Sequence, residues 1–360
     1  MDNRTPPAAV GRGAQINPLN RYSRIEYVED PTHRDEDDDA EGQRHKTEYF
    51  ADLSQSVVTE NASPDVFFRY SVNPYRGCAH GCSYCYARPT HEYLDLSAGL
   101  DFETKIFVKQ KAPELFREWL ARDSYSPELV MMSGVTDCYQ SAERKFQLTR
   151  GCLEVSLDAR QPIALITKNA LVTRDLDLLS EMAKRNLISV GISITSLDQS
   201  LTKVMEPRTS SPQARLRAIR ELSAAGVPTQ VMVAPVIPSL NDSEIPAILK
   251  AAREAGATSA VYVLLRLPLT VKPVFLEWLE RALPAQKDRI EGRVRDTRGG
   301  QLYRSDFATR MTGTGVVAEQ IRQTFQVFAR KYELAQRYPT LDVSQFRSPV
   351  PKSGQLRLFD

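Results

Sequence analysis

The 360-residue chain carries 47 Lys and Arg against 45 Asp and Glu, with 42% apolar and 26% charged residues; this balance suits one large globular domain with extensions. No apolar stretch reaches the roughly 20 residues needed to cross a bilayer, and the N-terminus MDNRTPPAAVGRGAQ lacks the apolar run of a secretory signal, so a cytoplasmic protein with no membrane partner is expected. Five cysteines, three of them within eight residues, exclude the disulfide framework of a secreted domain and favour metal binding in a reducing compartment.

Residues 1 to 62 contain the run Arg34-Asp35-Glu36-Asp37-Asp38-Asp39 and several prolines, which reads as a disordered or extended segment draped on the surface, without chemistry of its own. From residue 63 to 268 short β-branched or apolar runs alternate with amphipathic helical patterns. Strands are expected at Phe68–Asn73, Leu129–Ser133, Ile163–Thr167, Ile188–Ile194, Thr229–Ala234 and Ala260–Leu265. Between them, Ser211 and Pro212 open one helix that stops at Gly226. Asp242 or Ser243 opens the next, with Ile245, Ile248, Leu249 and Ala252 inward and Gly256 as its stop. Six βα units imply an α/β fold with a parallel sheet, organised as a partial (β/α)6 barrel. A helical C-terminal extension follows over residues 269 to 337, its longest helix at Gly315–Leu334 with Val317, Ile321, Phe325, Phe328 and Tyr332 on one packing stripe. Residues 338 to 360 read as a tail.

Charge divides unevenly along the chain. Residues 1–50 hold 7 basic and 11 acidic side chains, and residues 281–360 hold 15 and 8. The C-terminal excess suits contact with phosphates, although mild arginine excess also serves simply to solubilise a surface.

The first strand runs into Asn73-Pro74-Tyr75-Arg76-Gly77-Cys78-Ala79-His80-Gly81-Cys82-Ser83-Tyr84-Cys85-Tyr86, which contains C-x3-C-x2-C. Three close thiolates on a tight loop can hold three corners of an iron–sulfur cubane, with the fourth iron left open. Loops that follow the strands of a parallel barrel form its functional face, so position and chemistry agree. The competing reading is structural zinc, closed by His80, His91 or Cys138 as fourth ligand, but zinc sites usually pair their cysteines as C-x2-C knuckles.

The triplet with Tyr84 before its last cysteine resembles the signature of the radical S-adenosylmethionine superfamily, over about residues 66 to 268. Within it the chain is similar to the relatives of spore photoproduct lyase. The segments carrying that likeness are NPYRGCAHGCSYCYAR (73–88), TDCYQSAE (136–143), LITKNALVTRD (165–175), ITSLD (194–198), MEPRTSSPQARLRAI (205–219) and APVIPSLND (234–242). The resemblance implies an enzyme in which Cys78, Cys82 and Cys85 hold a four-iron, four-sulfur cluster. Its open iron would bind S-adenosylmethionine, whose reductive cleavage gives a 5′-deoxyadenosyl radical that abstracts a substrate hydrogen.

Family position further implies a cofactor-binding set of Tyr84, Ser133, Gly134, Thr136, Asp137, Lys168, Ser193, Thr195 and Arg208. Ser133, Gly134, Thr136 and Asp137 would lie near the amino group, Ser193 and Thr195 near the ribose, and Lys168 and Arg208 near the carboxylate. The loop Ser133-Gly134-Val135-Thr136-Asp137 departs from the Gly-Gly-Glu form common after the second strand. Each of these polar residues has a capping or turn role as its plainer explanation. Cys138 would be a hydrogen donor to a product radical, set against an inert buried thiol; Cys152, inside a helix, reads as structural. These two cysteines are too few for a second all-cysteine cluster.

An electron donor such as flavodoxin or ferredoxin is the implied partner. Gln355 to Phe359 resembles the peptide by which bacterial repair proteins dock on the DNA sliding clamp, with Arg357 departing from the usual third residue; a tail that packs back on its own domain is the alternative. A nucleic-acid substrate, with DNA repair as its setting, is the leading expectation. A protein or metabolite substrate for the same chemistry, or a metal-binding module without catalysis, are the rivals.

Overall fold

The computed structural model describes residues 9–22, 45–335 and 340–349. Among them lie ten strands: β1 Glu48–Ala51, β2 Val58–Glu60, β3 Tyr70–Val72, β4 Tyr75–Arg76, β5 Lys105–Val108, β6 Val130–Met132, β7 Ile163–Thr167, β8 Ile188–Ser193, β9 Thr229–Val236 and β10 Ser259–Leu264. The α-helices are α1 Leu100–Thr104, α2 Ala112–Leu120, α3 Glu143–Phe146, α4 Leu148–Ala159, α5 Leu176–Ala183, α6 Gln199–Met205, α7 Pro212–Ala224, α8 Ile245–Glu254, α9 Val271–Ala282, α10 Lys287–Asp296 and α11 Gly315–Lys331.

All six expected strands are present, as β3, β6, β7, β8, β9 and β10, and they pair in parallel in chain order. Helical crossovers separate them, as a parallel ladder requires. The sheet is open, with β10 at one edge and β2, antiparallel to β3, at the other. The first strand is shorter than expected, because only Tyr70 to Val72 find ladder partners on β6. Strand β7 is almost unbroken apolar sequence, and every residue of β8 is buried, as expected for inner strands of a parallel sheet.

Helix α7 begins as its pattern predicts, whereas α8 begins at Ile245, after a single turn over Asp242–Glu244, instead of under an Asp242 or Ser243 cap. Ser211 caps α7 by accepting from the Ala214 amide, and Gly226 ends it with a positive φ. Ile245, Ile248, Leu249 and Ala252 of α8 are all buried, and each large apolar side chain among them contributes about 1.5–3 kcal/mol. Helix α11 lays Ala318, Ile321, Phe325 and Ala329 inward, with the Phe325 ring 4.8 Å from that of Tyr262 on β10. The C-terminal extension also blunts the β10 edge: Ala260 N–H donates to Leu334 O and Leu264 N–H to Met311 O.

The N-terminal segment does more than drape. Strand β1 pairs with β5 in a second, three-stranded sheet that also contains β4, and β2 extends the main sheet. Arg12, Gly13 and Ala14 are buried, with the amides of Gly13 and Ala14 donating to the Glu103 carboxylate at 3.1 and 2.8 Å. This part of the tail reading is corrected: composition registers side-chain hydrophobicity, whereas these residues are held through backbone amides.

Candidate active site

The cysteine loop leaves β4 through Gly77 and is pinned by its backbone. Cys78 N–H donates to Phe102 O at 2.9 Å, Ala79 N–H to Gln140 Oε1 at 2.9 Å, and Ser83 N–H to Met205 O at 3.1 Å. Gln140 Nε2 returns a bond to Gly77 O at 3.0 Å. Arg88, fully buried, donates to Cys82 O through Nε and Nη2 and pairs with the equally buried Glu103 at 2.5 Å. Cys78 and Cys82 are buried and Cys85 half-buried, and none is in a disulfide. Burial pushes the Cys85 thiol up to about 11, and burial followed by the Glu206 charge pushes Cys82 well above the ordinary range. Buried thiols become ligands once a cationic group offsets the desolvated charge.

Around this loop the strand ends carry two polar hubs. Asp137, after β6, accepts from Thr167 Oγ1 at 2.8 Å, from the Lys168 amide at 2.8 Å and from the Tyr139 amide at 2.9 Å, and sits 3.3 Å from His80 Nδ1. Burial opposes the His80 cation, but the Asp137 carboxylate and Cys78 raise it to about 10. Asp137 thus ties the cysteine loop to β6 and β7, with its oxygens committed to protein donors. Ser133 closes its own turn onto Thr136 O, and Thr136 Oγ1 donates to Tyr75 O; Gly134 O accepts from Tyr86 Oη at 2.6 Å.

Glu206, at the end of α6, is the second hub. Its carboxylate is buried, accepts from Tyr84 Oη and from Thr195 Oγ1 (2.6 Å), and pairs with Arg215 of α7 and with Lys168 Nζ at 3.2 Å. Lys168 also reaches Ser193 Oγ at 2.6 Å, Thr195 Oγ1 at 3.2 Å and Ala234 O at 2.9 Å, and lies 5.5 Å over the Tyr84 ring. Burial alone would raise Glu206, yet Arg215 and Lys168, with Thr195 and Tyr84 donating, hold it well below the usual carboxylate range.

Of the sequence-derived set, Tyr84, Lys168, Ser193 and Thr195 therefore come together, while Ser133, Gly134, Thr136 and Asp137 gather in the loop after β6. Arg208 stands apart: it is exposed, and its guanidinium donates to Gly11 O at 3.2 Å and Thr47 Oγ1 at 3.3 Å. Cys138 lies in the main core, its thiol raised by burial above all. Cys152 is buried in α4, as a structural thiol would be. Glu206, Arg215, Glu103 and Arg88 were missed, since a charged residue on a helix end reads as solvated until its buried partner is seen. The peptide from Gln355 to Phe359 lies outside the described residues.

As a candidate fourth zinc ligand, His80 is already engaged at both ring nitrogens, Nδ1 beside Asp137 at 3.3 Å and Nε2 beside Asn169 at 3.2 Å. A closed zinc site needs four ligands convergent on one point, whereas a cubane takes each thiolate on a different iron.

Comparison with known proteins agrees with this geometry. Residues 72–252, half of the chain, match the family model described as the Radical SAM superfamily. An uncharacterized protein of Mycobacterium tuberculosis (strain ATCC 25618 / H37Rv) is 42% identical over 219 residues, covering 60% of this chain and 64% of that one. An uncharacterized protein of Methanocaldococcus jannaschii is 31% identical over 176 residues, covering 49% and 63%; the match spans less than two thirds of either relative. Spore photoproduct lyase complexed with dinucleoside spore photoproduct shares the fold, with a TM-score of 0.58 at 16% identity over 79% of each chain. With its cysteine triplet on the loop after the first of six parallel strands, the chain belongs to the Radical SAM superfamily of enzymes.

Proposed function

We propose that this protein is a radical S-adenosylmethionine enzyme acting on nucleic acid. Cys78, Cys82 and Cys85 would hold a 4Fe-4S cluster, and Tyr84, Lys168, Ser193 and Thr195 would flank the cofactor at the strand ends. Cluster and S-adenosylmethionine together supply reductive cleavage to a 5′-deoxyadenosyl radical. The chain's own residues do the positioning. The backbone bonds of the cysteine loop fix where the three sulfurs sit, and burial of Tyr84, Thr195 and Glu206 excludes water from the strand ends. Lys168 is a fixed cation held by Ser193, Thr195, Ala234 O and Glu206, and it would flank the cofactor as part of that hub. A flavodoxin- or ferredoxin-type protein would deliver the electron.

The observation that carries the reading is the pinned C-x3-C-x2-C loop at the end of the first parallel strand. Support for nucleic acid comes from the shared fold with a lyase solved with a dinucleoside photoproduct and from the basic excess after residue 280. Anaerobic reconstitution with iron and sulfide tests the cluster. About four irons and four sulfides per chain are expected, with an electron paramagnetic resonance signal after reduction that changes when S-adenosylmethionine is added. Cys82→Ala should lose that signal; one zinc per chain and no iron–sulfur absorbance would contradict the proposal.

A further inference from the structure

The strand after which the βα rhythm stops carries an unexplained pair of cations. Arg266 follows β10, and Arg298 follows α10. Arg298 is 2% exposed, with Nη1 donating to Thr309 O at 3.0 Å and Nη2 to Leu265 O at 2.7 Å. Arg266 is half-buried and reaches only the weak acceptor Met311 Sδ, at 3.5 Å. The buried Nε of each guanidinium has no hydrogen-bond partner, and neither meets a carboxylate within ion-pair distance among the described residues. Burial, and then repulsion from Arg266, lowers Arg298 to about 10. Buried guanidinium without an anion is costly, so two that stand close together need a reason.

Their location supplies one. Arg266 lies 5.1 Å over the ring of Tyr86, the residue next to Cys85. Tyr86 is 46% exposed, and its hydroxyl is anchored on Gly134 O in the loop after β6. The pair thus stands at the same ends of the strands as the cysteine loop. The segment that braces it, through Thr309 and Met311, also carries Phe307, 55% exposed. Arginines that lack a counter-anion, beside aromatic faces open to solvent, are the equipment of a groove that tracks a phosphate backbone and stacks bases.

We infer that Arg266, stacked on Tyr86 and with the buried Arg298 as a fixed charge behind it, forms a subsite for a phosphodiester of a nucleic-acid strand, an inference that rests on the proposal above for reading this end of the sheet as the active site. The test uses the full-length protein and a fluorescein-labelled single-stranded oligothymidylate, followed by anisotropy across a salt series. Wild type should bind, and Arg266→Gln should weaken binding about tenfold, the usual worth of one charge-assisted hydrogen bond. The slope of log affinity against log salt should become shallower by about 0.7 for each phosphate that the variant no longer neutralises. Arg298→Gln should act in the same direction; since it is buried, its melting curve is recorded alongside, and Arg266→Lys should keep part of the affinity. Absence of binding by wild type, or an affinity and slope unchanged in Arg266→Gln, overturns the subsite. Release of 5′-deoxyadenosine by wild type is scored separately, so that failure of the radical chemistry and failure of the subsite are read from different signals.

Discussion

At Glu206 the chain keeps a buried carboxylate in company that only makes sense collectively: two cations and two hydroxyls meet on its two oxygens. Desolvation of the charges is a large cost, so the arrangement holds only while every partner is present. Glu206→Gln leaves Arg215 buried without its anion and should cost about 3–5 kcal/mol, read from urea unfolding; a loss below about 1 kcal/mol would show that the hub is not needed. The pH dependence follows in sign. The folded carboxyl titrates below its ordinary 4.5, so its contribution is fully present above that value and is lost as pH falls through the acid range. Glu206→Gln should therefore flatten the acid side of the stability curve. The cysteines were legible in the sequence from their spacing, and Tyr84, Lys168, Ser193 and Thr195 from the family resemblance of the segments that carry them. Glu206 and Arg215 were not, because their pairing joins the end of one helix to the face of the next.

The elements around the cysteine loop show where composition misleads. Residues 9 to 14 have neither helical nor strand periodicity, yet a Cβ at Gly13 would stand 1.7 Å from Gly81 O, and one at Gly81, whose φ is positive, 2.5 Å from Glu103 Oε2. Two glycines thus let the N-terminal segment lie against the loop while Glu103 ties both to Arg88. Gly13→Ala should push the segment away at a cost of about 1–3 kcal/mol. Trypsin should then cut faster after Arg12, and iron uptake on reconstitution should fall. Unchanged cleavage and unchanged iron content would remove the segment from any role in shaping the site. Helix α7, by contrast, matched its expected Ser211 cap and α8 its inward face, since local capping chemistry and apolar spacing decide these without long-range partners; α8 itself starts at Ile245, after a single turn over Asp242–Glu244, without the expected Asp242 or Ser243 cap.

For the whole molecule, the six strands of the main sheet were readable from apolar runs, and their parallel order follows from the helices between them. The second sheet and the bracing of β10 by the C-terminal extension were not, because short edge strands and isolated backbone bonds leave no periodic trace. What the assembly achieves is a fixed cysteine loop at the strand ends, ringed by buried charge that is already paired. The most direct test is 5′-deoxyadenosine released from S-adenosylmethionine by the anaerobically reconstituted protein under dithionite, beside Cys82→Ala. Release by wild type that is lost in Cys82→Ala is the predicted result; no release from wild type carrying a full complement of iron and sulfide would contradict the account.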